Sequence, residues 1–322
     1  PECWWWGTCE AIREALAKAG IGGGDITAVS FSGQMHGGVM LDSDDRPVGR
    51  AIIWADSRSA GECGEIEEVL GGDILRKKVM NRIFPGTFAA TAFWMRKTLF
   101  REWEKVRRLL LPKDYIRWRM CGLFHSEPSD ASATLLFDLQ ERDWSKEVLN
   151  RLRIPIEYLP PITTSDQIIA GTEGILDETG LPDGIPLVVG GSDQAASALG
   201  SGLLDEGAMF VAVGTGGQIV TPLAEPLPSP GLSLNTFCHI PETRWYLMGA
   251  TLSAGLSLKW YRDLFAQGVP FAVLDAEAEA IPPGCAGLAF DPFLAGRRSP
   301  EMNPSASGVF RGIRLKIGRA HV

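Results

Sequence analysis

Three short stretches hold residue types whose arrangement could do chemistry. In Gly190-Gly191-Ser192-Asp193-Gln194, the Asp193 carboxylate falls at the first turn of a run of small residues that follows an apolar, strand-like run. The helix dipole and the free N–H groups of that turn stabilise an ionised carboxylate, which suits a residue that must accept a proton. The same pattern is met if Ser192 and Asp193 only cap a helix. In Gly214-Thr215-Gly216-Gly217 a turn separates two β-type runs. Its backbone N–H groups can converge on one anion with the Thr215 hydroxyl as a further donor, or the turn can simply close a hairpin. In Ser32-Gly33-Gln34-Met35-His36-Gly37-Gly38 a thioether and one of only four histidines sit on a glycine-framed turn. Gly33, Gly37 and Gly38 leave backbone room for a ligand, and the His36 ring can exchange hydrogen bonds with a hydroxyl group. Equally, His36 can be a turn histidine and Met35 a core filler.

A candidate base that ends one domain and a candidate anion cradle that opens the next is the arrangement in-line phosphoryl transfer needs, with the acceptor hydroxyl held in a cleft between them. Trp54-Ala55-Asp56-Ser57-Arg58 adds a further choice, between a structural ion pair and a group that gathers hydroxyls.

Other chemistries are excluded by pattern. The chain has no GxxxxGK[ST] loop, HExxH pair, GxSxG elbow or GxGxxG fingerprint. His125, His239 and His321 lack metal-ligand spacing and read as structural or surface residues. The six cysteines form no CxxC pair, so a disulfide or zinc scaffold is not expected and a reducing cytoplasm is. A net charge of −8 with scattered basic residues argues against nucleic acid or an anionic membrane surface as partner. No apolar run approaches the ~20 residues of a membrane span. The expectation is a soluble, cytoplasmic protein acting on a small molecule.

The elements that must position these residues form an α/β pattern. Ile12, Leu16 and Ala19 recur at helical spacing, the glycines at 20–24 stop that helix, and residues 26–31 and 39–41 read as strands of one sheet joined past the turn-rich segment 42–47. From 59 to 123 the pattern is mainly helical. Residues 186–189 form a buried-type strand leading into the Asp193 segment, and 209–213, 218–220 and 245–248 read as strands before an amphipathic helix over 253–265. A domain boundary is expected at Asp205-Glu206-Gly207, giving domains 1–205 and 206–322.

Taken in order, these stretches resemble the FGGY family of carbohydrate kinases. The matching segments are Ser32-Gly33-Gln34-Met35-His36-Gly37, Trp54-Ala55-Asp56-Ser57-Arg58, Leu111-Pro112-Lys113-Asp114-Tyr115-Ile116-Arg117-Trp118, Ser129-Asp130-Ala131-Ser132, Gly190-Gly191-Ser192-Asp193-Gln194-Ala195-Ala196, Gly214-Thr215-Gly216-Gly217 and Pro292-Phe293-Leu294-Ala295-Gly296-Arg297-Arg298-Ser299-Pro300. Their collinearity is more specific than any one of them.

The resemblance implies a two-domain, actin-like ATPase fold of the ribonuclease-H-like type, with ATP and Mg²⁺ as cofactors and a small-molecule sugar as partner. Nucleic acid and membrane are not partners, and a homodimer is open. Members that act on D-xylulose use the Met-His pair to contact the ketose, so Met35 and His36 inherit that role. Asp193 matches the base that takes the proton of the terminal O5, giving D-xylulose 5-phosphate, and Gln194 matches a neighbouring sugar ligand. Gly214, Thr215, Gly216 and Gly217 match the loop that approaches the ATP phosphates. Asn is frequent in such members where Gln194 stands, Ser where Gly216 stands and Glu where Arg297 stands.

The family's Asp-x-Gly-Thr motif and its glycine-rich adenosine loop are expected outside this chain, so the fold is expected to be incomplete at both ends and no metal ligand is assigned. Loss of phosphate charge neutralisation should then cost on the order of 10³-fold in rate, and the isolated chain is expected to be inactive. The alternatives are a family kinase for ribulose, gluconate or an alditol, and a non-catalytic sugar-binding relative.

Overall fold

The first helix, Glu2–Ala19, extends back from the periodic stretch to Glu2 because Trp5 and Cys9 continue its apolar face, packing with Met120, Ile185 and Leu187. It stops at Gly20, whose left-handed backbone (φ 68°) lets its N–H reach the carbonyls of Leu16 and Ala17. The computed structural model describes residues 1–300, 302–303 and 305–321. Two compact units result, Pro1–Ala208 with Pro222–Leu247, and Met209–Thr221 with Met248–Val322.

In the first unit the expected strand over 26–31 is reduced to a parallel bridge of Val29 to Leu187, followed by a two-residue ladder in which Ser32 pairs with Gly191 and Gly33 with Ser192. Val39–Leu41 is a strand as expected, but it does not share a ladder with 26–33. It pairs antiparallel with Arg108–Leu110, a strand the helical reading of 59–123 passed over. The cause is the turn at 34–38: His36 takes a left-handed conformation (φ 70°) that redirects the chain. The rest of 59–123 is mainly helical, with Cys63–Ile74, Phe88–Thr98 and Pro112–Cys121 the longest pieces. Pro112 opens the last of these, where its missing N–H costs nothing, and left-handed Gly122 closes it.

Strand Pro186–Val188 and helix Asp193–Gly200 follow the sequence reading, whereas Gly191–Ser192, read as part of a turn and the helix start, forms a short strand. Between them Gly190 has φ 82°, and a Cβ there would lie 1.9 Å from the Phe31 carbonyl oxygen, so only glycine allows the close approach of the two chains. In the second unit Phe210–Val213 pairs antiparallel with the start of Gly217–Leu223, and helix Gly255–Phe265 follows strand Trp245–Thr251, whose first three residues belong to the first unit. Strand Asn235–Cys238 and helix Phe271–Glu279 were not foreseen. Among the described residues no helix is long and apolar enough to cross a membrane.

Candidate active site

The parallel ladder decides where the first unit's candidate residues meet. Both strands run the same way, so the segments that follow them, 34–38 on one chain and Asp193 on the other, leave from one edge of the pair. Met35 and His36 therefore follow one strand, and Asp193 and Gln194 the other, at the same end of the ladder.

The turn itself is packed rather than open. A Cβ on Gly38 would lie 2.1 Å from the Phe88 ring, one on Gly33 2.8 Å from the Lys113 Cβ, and one on Gly37 3.0 Å from Pro112. These glycines admit protein, not a ligand, which corrects the sequence reading of them. Met35 and His36 are both buried, at 4% and 6% exposure. His36 Nδ1 lies 2.7 Å from the Ala133 carbonyl oxygen. A carbonyl only accepts, so Nδ1 carries the proton. Phe84 and Phe237 hold the ring with centroids at 5.2 and 5.8 Å. The Tyr246 hydroxyl donates to Met35 Sδ at 3.8 Å.

Asp193 is the first residue of its helix, but the capping role falls to Ser192, whose hydroxyl accepts from the Ala195 N–H at 3.4 Å. The Asp193 carboxylate accepts the Gln194 N–H at 2.8 Å and is half-buried, as is Gln194. Burial pushes its proton affinity above the usual aspartate range, opposed by the N–H groups of Gln194 and of Asp193 itself.

Behind these residues lies a buried ionic cluster to which sequence reading gave no role. Lys113 Nζ lies 2.7 Å from Asp114, 3.3 Å from Glu127 and 3.5 Å from Asp130, while Arg117 pairs with Asp114 at 2.9 Å. All five side chains are almost fully buried. Glu127 also accepts from the N–H groups of Ser129 and Asp130 and from the hydroxyls of Ser129 and Ser165. The Ser129 hydroxyl in turn accepts the Ser192 N–H at 3.0 Å, tying the cluster to the residue before Asp193.

Burial alone would discharge Lys113, but the carboxylates of Asp114, Glu127 and Asp130 outweigh it and keep the ammonium charged. Asp130 has no hydrogen bond to either carboxyl oxygen. Burial drives its proton affinity well up, Lys113 opposes this, and Asp114, Glu127 and Asp193 add to it. The signal was present in the collinear segments around Lys113-Asp114 and Ser129-Asp130.

In the second unit, residues 214–216 form the turn of a hairpin in which Val213 faces Gly217. The Gly214 N–H bonds the Gly216 carbonyl, and the carbonyls of Gly214 and Thr215 accept from the N–H groups of Ala254, Gly255 and Leu256 at the start of the following helix. Gly216 is required by packing, since a Cβ would lie 2.7 Å from the Thr251 carbonyl oxygen. Gly214 and Thr215 are exposed, and a Cβ on Gly214 would meet nothing closer than 3.9 Å. An exposed backbone with an adjacent hydroxyl fits a phosphate group, and Thr215 is the side chain that would face it.

Among the described residues there is no group of three or more His, Cys, Asp or Glu placed to hold a metal ion. The Asp56 and Arg58 side chains form an ion pair, at 2.8 and 2.9 Å from Nε and 2.6 Å from Nη2, under a guanidinium stacked 5.2 Å over Trp94. His239 is buried, with Nε2 bonded to the Leu203 carbonyl, and His321 Nδ1 accepts the Gly318 N–H.

Residues 1–200 match the profile of the FGGY family of carbohydrate kinases, N-terminal domain, and residues 209–322 match the C-terminal domain of the same family. The xylulose kinase of Bacillus subtilis (strain 168) is 34% identical over 322 residues, which is 100% of this chain and 64% of that protein. The gluconokinase of the same organism is 30% identical over 309 residues, covering 92% of this chain and 60% of that protein. The ligand-bound crystal structure of the xylulose kinase from Lactobacillus acidophilus aligns with a TM-score of 0.90 at 25% identity, over 97% of this chain and 63% of that one. The chain thus spans less than two thirds of the length of each of these relatives.

Proposed function

Because the chain belongs to the FGGY family of carbohydrate kinases, we propose that it carries the acceptor site of an ATP-dependent kinase that converts D-xylulose to D-xylulose 5-phosphate. The observation that supports this reading is the parallel pairing of Ser32–Gly33 with Gly191–Ser192, from the same end of which the segments carrying Met35 and His36, and Asp193 and Gln194, continue.

Asp193 acts as the general base. Its carboxylate takes the proton of the acceptor hydroxyl while that oxygen bonds to the γ-phosphorus of ATP and the bond to the departing ADP oxygen breaks. The raised proton affinity of Asp193 suits it to hold that proton through the transfer. Met35 offers the sugar an apolar thioether face, and the fixed tautomer of His36 gives it a defined polarity toward hydroxyl groups. Gln194 supplies an amide beside the base. Thr215 and the backbone around Gly214, Gly216 and Gly217 are the contacts for the ATP phosphates. All six cysteines are unpaired, in keeping with a cytoplasmic setting.

The gluconokinase at 30% identity supports a second reading, the same chemistry on an aldonate, another ketose or an alditol. Both are tested by measuring kcat/KM with MgATP for D-xylulose, D-ribulose, D-gluconate and xylitol, using the protein expressed from its natural gene. The first reading expects D-xylulose to lead by a factor of ten or more, on the order of the discrimination a few hydrogen bonds supply. A comparable lead for any other acceptor replaces it.

A further inference from the structure

Residues 235–246 form a hairpin, closed by the His239 N–H donating to the Arg244 carbonyl at 2.9 Å, that packs within the first unit although its sequence lies in the C-terminal family domain. It is pinned there at several points. Asn81 exchanges two hydrogen bonds with the Thr236 backbone, at 2.8 and 2.9 Å, and the Cys238 N–H donates to the Ser132 hydroxyl at 3.1 Å.

Phe237 from this hairpin meets the His36 ring, and Tyr246 packs on Phe237 with centroids 5.7 Å apart and on His239 at 5.8 Å. Tyr246 is fully buried. Its hydroxyl nonetheless has a polar partner, Met35 Sδ at 3.8 Å. A thioether only accepts, so the phenol gives its single proton to Met35. A phenylalanine would fill this aromatic niche without a buried oxygen to satisfy.

We propose that Tyr246 is a positioning residue of the acceptor site, its hydroxyl fixing the Met35-His36 turn against the hairpin 235–246. The proposal rests on the kinase reading above. Its logic is that a base and an acceptor hydroxyl displaced by a fraction of an ångström lose much of the benefit of being held together.

The test compares Tyr246→Phe and Tyr246→Ala in the protein expressed from its natural gene. In Tyr246→Phe, the KM for the acceptor sugar rises about tenfold, as expected for one lost buried hydrogen bond. The KM for ATP stays within about twofold, because the phosphate contacts are untouched. Tyr246→Ala lowers thermal stability as well, and restoring the ring in Tyr246→Phe recovers the melting temperature but not the acceptor KM. A purely structural tyrosine would have both recovered by Phe, and that result overturns the proposal.

An independent readout is the Met35 methyl resonance in protein carrying ¹³C-methyl methionine. It shifts in Tyr246→Phe, and an unchanged resonance overturns the proposal whatever the kinetics. Should the wild type prefer a non-ketose acceptor, the ketose assignment falls and the KM comparison is made with that acceptor. Should no acceptor be turned over, the kinase reading falls and the acceptor-site role with it, while the Met35 resonance still reports separately whether the Tyr246 hydroxyl holds that turn.

Discussion

The acceptor edge of the first unit and the 214–217 turn of the second are built on opposite principles. Behind the half-buried Asp193 lie buried side chains, Lys113, Glu127 and Ser129, locked to one another and tied through Ser129 to Ser192. Around Thr215 lies the exposed backbone of a hairpin turn whose carbonyls serve to start a helix. The difference teaches what each half can tolerate. A sugar must be told from other sugars by the geometry of several hydroxyls, which demands a rigid, desolvated constellation, whereas a phosphate common to all reactions needs only a glycine-permitted cradle.

The contrast can be broken most sharply at Asp193. Asp193→Asn is expected to lower kcat by about 10²–10⁴-fold, the usual worth of a positioned general base. Unchanged turnover of the protein from its natural gene would remove Asp193 from the mechanism. The same variant is expected to be more stable than the wild type at neutral pH. The folded state raises the proton affinity of Asp193, so the stability linked to this group is present in acid and is lost as pH rises through the folded pKa. Asparagine escapes that loss, and its advantage in urea denaturation should disappear below the ordinary aspartate range.

Next in size, Lys113→Met leaves Asp114, Glu127 and Asp130 buried without their ammonium, and a loss of about 3–5 kcal/mol is expected in equilibrium unfolding. A loss below about 1 kcal/mol would show that the cluster is solvated or protonated rather than ionic. Smaller again, Gly38→Ala must displace the Phe88 ring and should cost about 1–3 kcal/mol, while Gly214→Ala, with open space at its Cβ, should stay within about 0.5 kcal/mol. Equal costs would erase the distinction between a packed turn and an open one. The smallest effect is expected from Thr215→Val, a rise of about two- to tenfold in the KM for ATP at unchanged stability. An effect on the acceptor KM instead would assign Thr215 to the other substrate.

What the sequence made legible follows the same division. The strand, Gly-Gly turn and helix at 186–200 and the hairpin turn at 214–217 were readable because local rules decide them: an apolar run, a left-handed glycine, a capping serine. The neighbours of the 34–38 turn were not. Nothing local says that Phe88 and Lys113 occupy the space its glycines leave, or that a histidine will take a left-handed backbone. Lys113, Asp114 and Arg117 on one short helix look like a solvated face until Glu127 and Asp130, from a later segment, are folded against them. The four-residue strand Asn235–Cys238 carries too little pattern to announce itself, and its place is set by Asn81 and Ser132, far away in sequence.

That strand has a consequence for how members of this family can be recombined. The two family profiles meet between residues 200 and 209, which makes that interval the natural place to join the front of one kinase to the back of another. A crossover there would carry Phe237 and Tyr246 in with the incoming half while His36 and Met35 stay with the resident one. Chimeras built to exchange nucleotide handling should therefore change sugar preference too, and pairs of parents that share both aromatic residues should make the quieter hybrids.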